Sequence, residues 1–400
     1  MQSTSGSDGL VEKSSLNAGH DSDHLDLSDA YQRLTNQEKI SWTGHHHMLK
    51  LLGRGGQGVV YLTEHRGTDG FTVPVAMKFF SPERYSGVDS YSEAMSRVAS
   101  IASRVALIQH DHLIDVQNFF ERNRIRIMMM EWVDGFDLRQ LTESRLHRTL
   151  RHRVKGERWQ YINEVIVTEG ISQSRFKPGI AVAIVRDALS ALAALHREGI
   201  VHGDIKPANI MLKRSGYAKL IDMGSAMDYR NPPKDRECTP MYAPPEVLKS
   251  RAVSPQSDLA SLGYVLVELL SGVNPFSDQK GSYALLKFKN ELPSKLDQIL
   301  PDEVVRNELL MNFLLGLIAP DPKARFANAE AAEHVEKGAA AFHRQLILGD
   351  MATEYDNDIR VWLEELRELE TNLRFSKDKE TKSIAMEEEV DSDFTGTWDL

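Results

Sequence analysis

Residues Val201 to Leu212, VHGDIKPANIML, allow this chain few folds. Four polar side chains, His202, Asp204, Lys206 and Asn209, interrupt an apolar run, with Gly203 supplying backbone freedom among them. An apolar-periodic helix pattern that stops at Gly199 comes before, and AKLIDMG, a short strand pattern, delivers Asp222 after. Two acidic groups on neighbouring loops, with a lysine and an asparagine between them, suit holding a metal-bound phosphate beside a hydroxyl. In such a site Asp204 orients the hydroxyl and accepts its proton, and Lys206 neutralises charge spreading over the transferred oxygens. Asn209 and Asp222 hold a divalent metal. A solvated turn needs none of that order.

Two further stretches fit the same chemistry. Gly53, Gly55 and Gly58 in LGRGGQGVV form a GxGxxG whose meaning depends on the element that comes after the glycines. A dinucleotide-binding turn leads into a helix, whereas VVYLTEH reads as a strand. The glycines therefore form a flap between antiparallel strands, whose backbone amides can close over a triphosphate. Lys78, in VAMKFF, points from a strand that is otherwise apolar, so its ammonium needs phosphate oxygens and a carboxylate as partners. Glu93, the carboxylate expected in the next helix, is the candidate partner. Arg97 one turn beyond is an unusual neighbour for that role.

Around these stretches the chain divides unevenly. Residues 1–43 are Ser-, Gly-, Asp- and Asn-rich and read as a disordered tail. His45, His46 and His47 cannot all converge on one ion from a strand, because side chains alternate faces, and read as a solvated or partly packed run. From residue 44 to 133 a meander of strands, five in all, carries one long helix over about Tyr91 to Gln109. Residues 134–345 are mainly helical, with an aperiodic insertion at about 151–178 that reads as a loop or a small helical excursion. The expected architecture is α+β and bilobed, a small antiparallel sheet lobe joined near Glu131 to Asp134 to a larger helical lobe, with the ligand cleft between them. A charged amphipathic helix at 346–374, with Val361, Leu363, Leu366, Leu369 and Leu373 as its apolar positions, is free to dock on the large lobe, self-associate or bind a partner. Residues 375–400 read as an acidic disordered tail.

The resemblance carried by these stretches is specific. The flap, the VAMK lysine, HGDIKPAN, DMG and CTPMYAPPE occur in the order and spacing of the eukaryotic-like (Hanks-type) serine/threonine protein kinases, with a bacterial member expected, over residues 48 to 340. The resemblance implies ATP with Mg²⁺ (or Mn²⁺) as cofactors and a protein hydroxyl as acceptor. It also implies that Asp258 braces the catalytic loop and that Arg325 pairs with Glu246. Met130 would stand at the back of the adenine pocket, the Glu131 and Val133 backbones at the adenine edge, and Asp137 at the ribose. Val60, Ala76 and Met211 would sandwich the ring. Lys206 and Thr239 resemble the serine/threonine branch.

Three positions depart from the family pattern. Gly203 replaces the arginine before the catalytic aspartate, Met223 replaces the metal-loop phenylalanine, and Pro244-Pro245-Glu246 carries an extra proline. The loop Ser225 to Glu237 has only Ser225 and Tyr229 as hydroxyl residues. Together with Gly203 this points to a kinase independent of activation-loop phosphorylation. Two rivals remain, a small-molecule phosphotransferase of the aminoglycoside or choline kinase kind, which shares HGD, and a pseudokinase scaffold. The net charge of −10 argues against a nucleic-acid partner. The single cysteine, Cys238, excludes a disulfide framework and suits a reducing cytoplasm. No apolar run is expected to reach the roughly 18 to 20 residues of a membrane span.

Overall fold

The computed structural model describes residues 25–36, 39–41, 45–233, 238–334, 336–348, 355–369 and 371. The small lobe is built on a six-stranded antiparallel sheet: β1 (Lys39–Ser41), β2 (His45–Gly55), β3 (Gly58–Arg66), β4 (Thr72–Phe80), β5 (Val116–Arg122) and β6 (Ile125–Glu131). Their order is β1-β2-β3-β4-β6-β5. Glycine-bearing turns separate runs rich in Val, Met and Phe, the composition that favours strands. Register pairs Val60 with Lys78 and Ala76 with Met130, so these four side chains share the face that roofs the cleft. The β2–β3 flap closes tightly at Gly58, where φ is +136° and a Cβ would sit 1.9 Å from the Phe79 carbonyl oxygen.

The structure departs from the sequence expectation at both ends. Residues 25–35, expected within a disordered tail, form a helix, α1. Leu27, Tyr31 and Leu34, spaced by four and three residues, are buried on the small lobe. The Tyr61 hydroxyl donates to the Thr35 carbonyl (3.0 Å), and Gln32 bonds Glu83 (2.8 Å). β1 adds the sixth strand by pairing with the three-histidine run at the start of β2. Residues 1–24 of the expected tail, and the acidic end at 375–400, lie outside the described residues. The main helix of this lobe, α2 (Val88–Val105), begins earlier than expected and is shorter at its end.

In the large lobe, helices Pro178–Arg197 and Pro255–Ser271 form the centre of the core. The first corrects the expectation that no segment reaches span length: its 20 residues are long and apolar enough to cross a membrane, yet most of that length is buried inside this lobe. A two-sided apolar surface is what a helix enclosed by other helices requires, so the composition follows from packing. The insertion at 151–178 is the small helical excursion of the two readings, with helix Gly156–Tyr161 and a single π-helical turn, and it adds an unexpected hairpin of Val167–Glu169 with Ser174–Phe176.

The last helix, residues 355–369, packs on that insertion. Its buried face is Tyr355, Ile359, Trp362, Leu363, Leu366 and Leu369, so the expected stripe, which counted the half-buried Val361, missed Ile359 and Trp362. Leu373 lies outside the described residues. Trp362, buried to 1% exposure, meets Phe176 edge-on with ring centroids 5.8 Å apart. Around it, Glu365 receives Arg158 (2.8 and 3.1 Å), Asp358 receives the Tyr161 hydroxyl (2.8 Å), and Arg367 reaches Asp134 (3.0 Å) at the lobe junction. The apolar face of this helix is thus satisfied within the chain. Replacing Trp362 with alanine is expected to destabilise this docking by about 3–5 kcal/mol, the usual loss for a buried large aromatic. Urea denaturation checks the size, and faster proteolysis within 349–371 checks the location.

Candidate active site

The catalytic loop takes its shape from one carboxylate. Asp258, at the start of helix Pro255–Ser271, accepts the His202 and Gly203 backbone amides at 2.9 Å each and lies 2.9 Å from His196 Nε2. Gly203 has φ +76°, and a Cβ there would approach the Ser225 carbonyl oxygen to 2.9 Å. Glycine at this position is therefore explained by the backbone. Beyond it Asp204 points into the cleft. Its Oδ2 accepts Lys206 Nζ (2.6 Å) and Asn209 Nδ2 (3.2 Å), and its Oδ1 accepts the Thr239 hydroxyl (2.6 Å) and amide (3.2 Å). Lys206 also reaches the Thr239 hydroxyl (3.1 Å). Asp204, Lys206 and Asn209, expected to act together, are thus in contact, with Thr239 joined to them.

The metal loop lies alongside. The Asn209 carbonyl accepts the Ile221 amide (3.0 Å), which sets Asp222 next to the catalytic loop. Asp222 has φ 65°, a sparsely populated conformation for a residue with a side chain, held by its own Oδ1 accepting the Gly224 amide (3.0 Å). Met223 is buried to 1% and fills the place expected for it. Asn209 spends its Nδ2 on Asp204 and so has its amide oxygen for a cation, and Asp222 takes its bonds through Oδ1. One carboxylate and one amide oxygen form a hard donor pair suited to Mg²⁺, which usually completes its shell with waters and substrate phosphate. Among the described residues no cluster of three His, Cys, Asp or Glu is placed to hold a metal ion.

Lys78 differs from expectation. It is buried, and its Nζ bonds Asp222 Oδ1 (2.5 Å) and Gln57 Oε1 (2.6 Å). Glu93 is not its partner: that side chain is 81% exposed and faces Arg97 at 3.7 Å. The buried face of α2 is Tyr91, Ala94, Met95, Ile101, Ala102 and Val105, none of them acidic. Glu93 lies well round the helix from that face at 100° per residue. The residue that the motifs did not signal is Gln57, which lies among the flap glycines, and its Nε2 also donates to Ser225 (2.7 Å). The available signal was its polarity within a flap whose register places it next to β4. Burial pushes the Asp222 carboxyl up, but the Lys78 ammonium outweighs it and holds the group down at about 2.

Except for Val133, the residues that the family pattern assigns to the adenine side lie on paired strands of both lobes. Val60, Ala76 and Met130 share the roof, and Met211 pairs with Asp137 across the β-ladder below. Val133 is buried at the junction. The Glu131 N–H is already given to the Asp115 carbonyl (3.0 Å), so it is removed as a donor to a purine edge. The Glu131 carboxylate pairs with Lys219, a contact the motifs did not signal. Asp137 caps the next helix by accepting the Gln140 amide (2.9 Å). On the acceptor side Arg325 makes a two-pronged pair with Glu246 (2.7 and 2.8 Å), as expected. A separate cavity of about 760 Å³, lined by Asp187, Arg186 and His343 among others, shares no lining residue with this site.

A sheet lobe with a glycine flap, a helical lobe and two facing acidic loops define the protein kinase fold. The chain belongs to that family: the sequence model described as "Protein kinase domain" matches residues 46–335. It is similar to the serine/threonine-protein kinase PknD of Mycobacterium tuberculosis, with 31% identity over 258 residues, 62% of this chain and 32% of PknD. PkaB of Streptomyces coelicolor, also named a serine/threonine-protein kinase, is 29% identical over 293 residues, 70% of this chain and 60% of PkaB. Pkn1 of Myxococcus xanthus is 26% identical over 337 residues, 78% of this chain and 43% of Pkn1. The chain thus spans between about a third and three-fifths of the length of these relatives.

Two outcomes follow from this geometry. Gln57 occupies the lysine that a triphosphate would use, so Gln57→Ala is expected to tighten nucleotide binding about tenfold, the scale of one charge-assisted hydrogen bond. Calorimetric titration without acceptor measures it; unchanged or weaker binding would contradict the competition. Because the folded Asp222 carboxyl lies near 2, below its unfolded value of about 4, its contribution is full above that unfolded value. It is lost as pH falls through about 2. Asp222→Asn should therefore flatten the fall in stability between about pH 4 and 2, as followed by denaturant midpoints.

Proposed function

We propose that the chain is an ATP-dependent serine/threonine protein kinase that passes the γ-phosphoryl group directly to a protein hydroxyl. The observation that carries this reading is the Asp204 carboxylate, held on both oxygens by Lys206, Asn209 and Thr239. Those donors fill the acceptor sites of the carboxylate, so an incoming hydroxyl would take the place of the neutral Thr239 hydroxyl on Oδ1 and give its proton there. Lys206 sits on the other oxygen, Oδ2, and can neutralise charge on the transferred group. Lys78 holds phosphate oxygens once Gln57 releases it. Asn209 and Asp222 would hold Mg²⁺ or Mn²⁺, which supplies charge neutralisation at the phosphates. The Thr239 contact and the Arg325–Glu246 pair favour a protein acceptor over a small molecule, because both brace the segment 239–246 on which an extended substrate chain would rest.

The same reading includes independence from activation-loop phosphorylation. Arg104, at the end of α2, bonds Asp228 (2.9 Å) and the Glu198 carbonyl. Asp228 itself lies in the short strand Met227–Asp228, paired antiparallel with Ile200–Val201 beside the catalytic loop. A carboxylate encoded in the chain thus ties helix, activation segment and catalytic loop together, the kind of link a phosphate could otherwise make. Ser225 is nearly buried and bonded to Gln57, a poor site for modification.

Transfer of labelled phosphate from ATP to serine or threonine of a generic basic protein tests the activity, with Asp204→Asn as control. No incorporation by the parent chain across metals and acceptors would overturn it. Ser225→Ala and Tyr229→Phe should keep activity within about twofold. Arg104→Ala should lower kcat roughly three- to tenfold, as loss of about 1 kcal/mol of positioning would. Complete loss at Ser225 or Tyr229, restored by an acidic residue, would overturn phosphate independence.

A further inference from the structure

Helix Ser282–Glu291 carries a lysine that the catalytic reading leaves unused. Lys289 is 0% exposed and among the largest fully buried side chains. Its Nζ donates to the Met241 carbonyl at 2.5 Å and lies 3.8 Å from the Phe276 ring centroid and 4.1 Å from that of Tyr264. Among the described residues no carboxylate forms an ion pair with it. Glu246 contributes at longer range but is committed to Arg325 and Ser257. A buried ammonium held by one carbonyl and two ring faces is costly to keep, and an apolar side chain would fill the same space without that penalty.

The carbonyl it holds is well placed. Met241 stands two residues after Thr239, which bonds Asp204, and five before Glu246, which bonds Arg325. Next to it, Tyr242 is fixed by its hydroxyl to Glu268 (2.6 Å) and by its carbonyl to Ser261 (2.8 Å). The Tyr242 and Ala243 amides turn back onto the Thr239 carbonyl (2.9 and 3.0 Å). Lys289 therefore grips the middle of a loop whose first residue touches the proton-accepting carboxylate.

Building on the kinase reading, we propose that Lys289 is a positioning residue for the protein acceptor: through the Met241 carbonyl it sets the loop 239–243 on which the acceptor chain rests. Being inaccessible, it acts on the acceptor only through that carbonyl and not by contact. Burial also lowers the lysine well below its usual value, with Cys238 and Glu246 opposing the shift, consistent with a charge stabilised by few partners.

Lys289→Met keeps length and removes the donor; Lys289→Gln keeps a donor without charge. With ATP, Mg²⁺ and a basic acceptor protein, Lys289→Met should raise the acceptor KM about tenfold, the worth of one charge-assisted hydrogen bond. The ATP KM should stay within about twofold, and Tm should equal or exceed the parent's because a buried charge is gone. Lys289→Gln should fall between Lys289→Met and the parent. Hydrogen exchange at the Tyr242 and Ala243 amides should quicken in Lys289→Met, a readout available even from an inactive chain. An unchanged acceptor KM, or equal losses in both KM values with a fall in Tm, would overturn the proposal, as would failure of both variants to fold. A parent chain that transfers no phosphate overturns the kinase reading instead; unchanged exchange in the variant then also overturns this one.

Discussion

The Asp258 carboxylate is the constraint on which the catalytic half depends. Burial alone would push its carboxyl up. Contact with His196, the nearby His202 and the Gly203 amide together hold it below the ordinary value, so it remains an acceptor. As an anion it satisfies two consecutive amides of a loop that leaves the β-ladder, where unpaired donors in the core would be costly. Those amides belong to His202 and Gly203, and fixing them fixes the left-handed turn that aims Asp204. The Asp204 carbonyl in turn receives Asn209 (2.8 Å), and the Asn209 carbonyl receives Ile221, so one buried charge orders both acidic loops in sequence.

The nucleotide side is held by different means. Lys78 is buried but has no carboxylate from α2, and its two partners come from the flap and the metal loop. Gln57 is neutral, so its bond to the ammonium is weaker than an ion pair and can be exchanged for phosphate. The flap around it has open space at Gly53, Gly55 and Gly56 and tight packing at Gly58 only. Gly58 pairs with Gly55 in the last rung of the hairpin, so the tight packing lies directly beside the turn that carries Gln57.

How much of this could be read from the sequence depends on the kind of signal. Asp204, Lys206, Asn209 and Asp222 are legible because their spacing along short loops leaves little freedom, and the structure brings them together. Asp258 and Arg325 are legible through family likeness. Glu93 is misleading because a helix's rotation decides which residues face inward, and an acid in the right segment says nothing of its azimuth. α1 is hidden because three apolar residues at helical spacing look sparse in a polar stretch until the sheet they cover is known. Trp362 is passed over when aliphatic residues alone define the stripe, although an aromatic on that face has the largest apolar surface to bury. Gln57 and Lys289 are illegible for a shared reason: their partners lie 21 and 48 residues away, and only tertiary register makes the contacts.

These differences divide the cleft mechanically. On the acceptor side, Asp258, the Arg325–Glu246 pair and Lys289 are buried charges with fixed partners, and each removes freedom from a loop that touches Asp204 or leads to it. Such groups lose far more when a partner is removed than they add to stability when complete, so they specify one arrangement strongly. On the nucleotide side the contacts are polar, partly open to the cleft and replaceable. Arg104 and Asp228, each about a third exposed, connect the two halves. A phosphate in that position would be a switchable connection, whereas a carboxylate is present whenever the chain is folded. The exchangeable contact is the one Gln57 makes from the flap, whereas those of Asp258, Glu246 and Lys289 are enclosed.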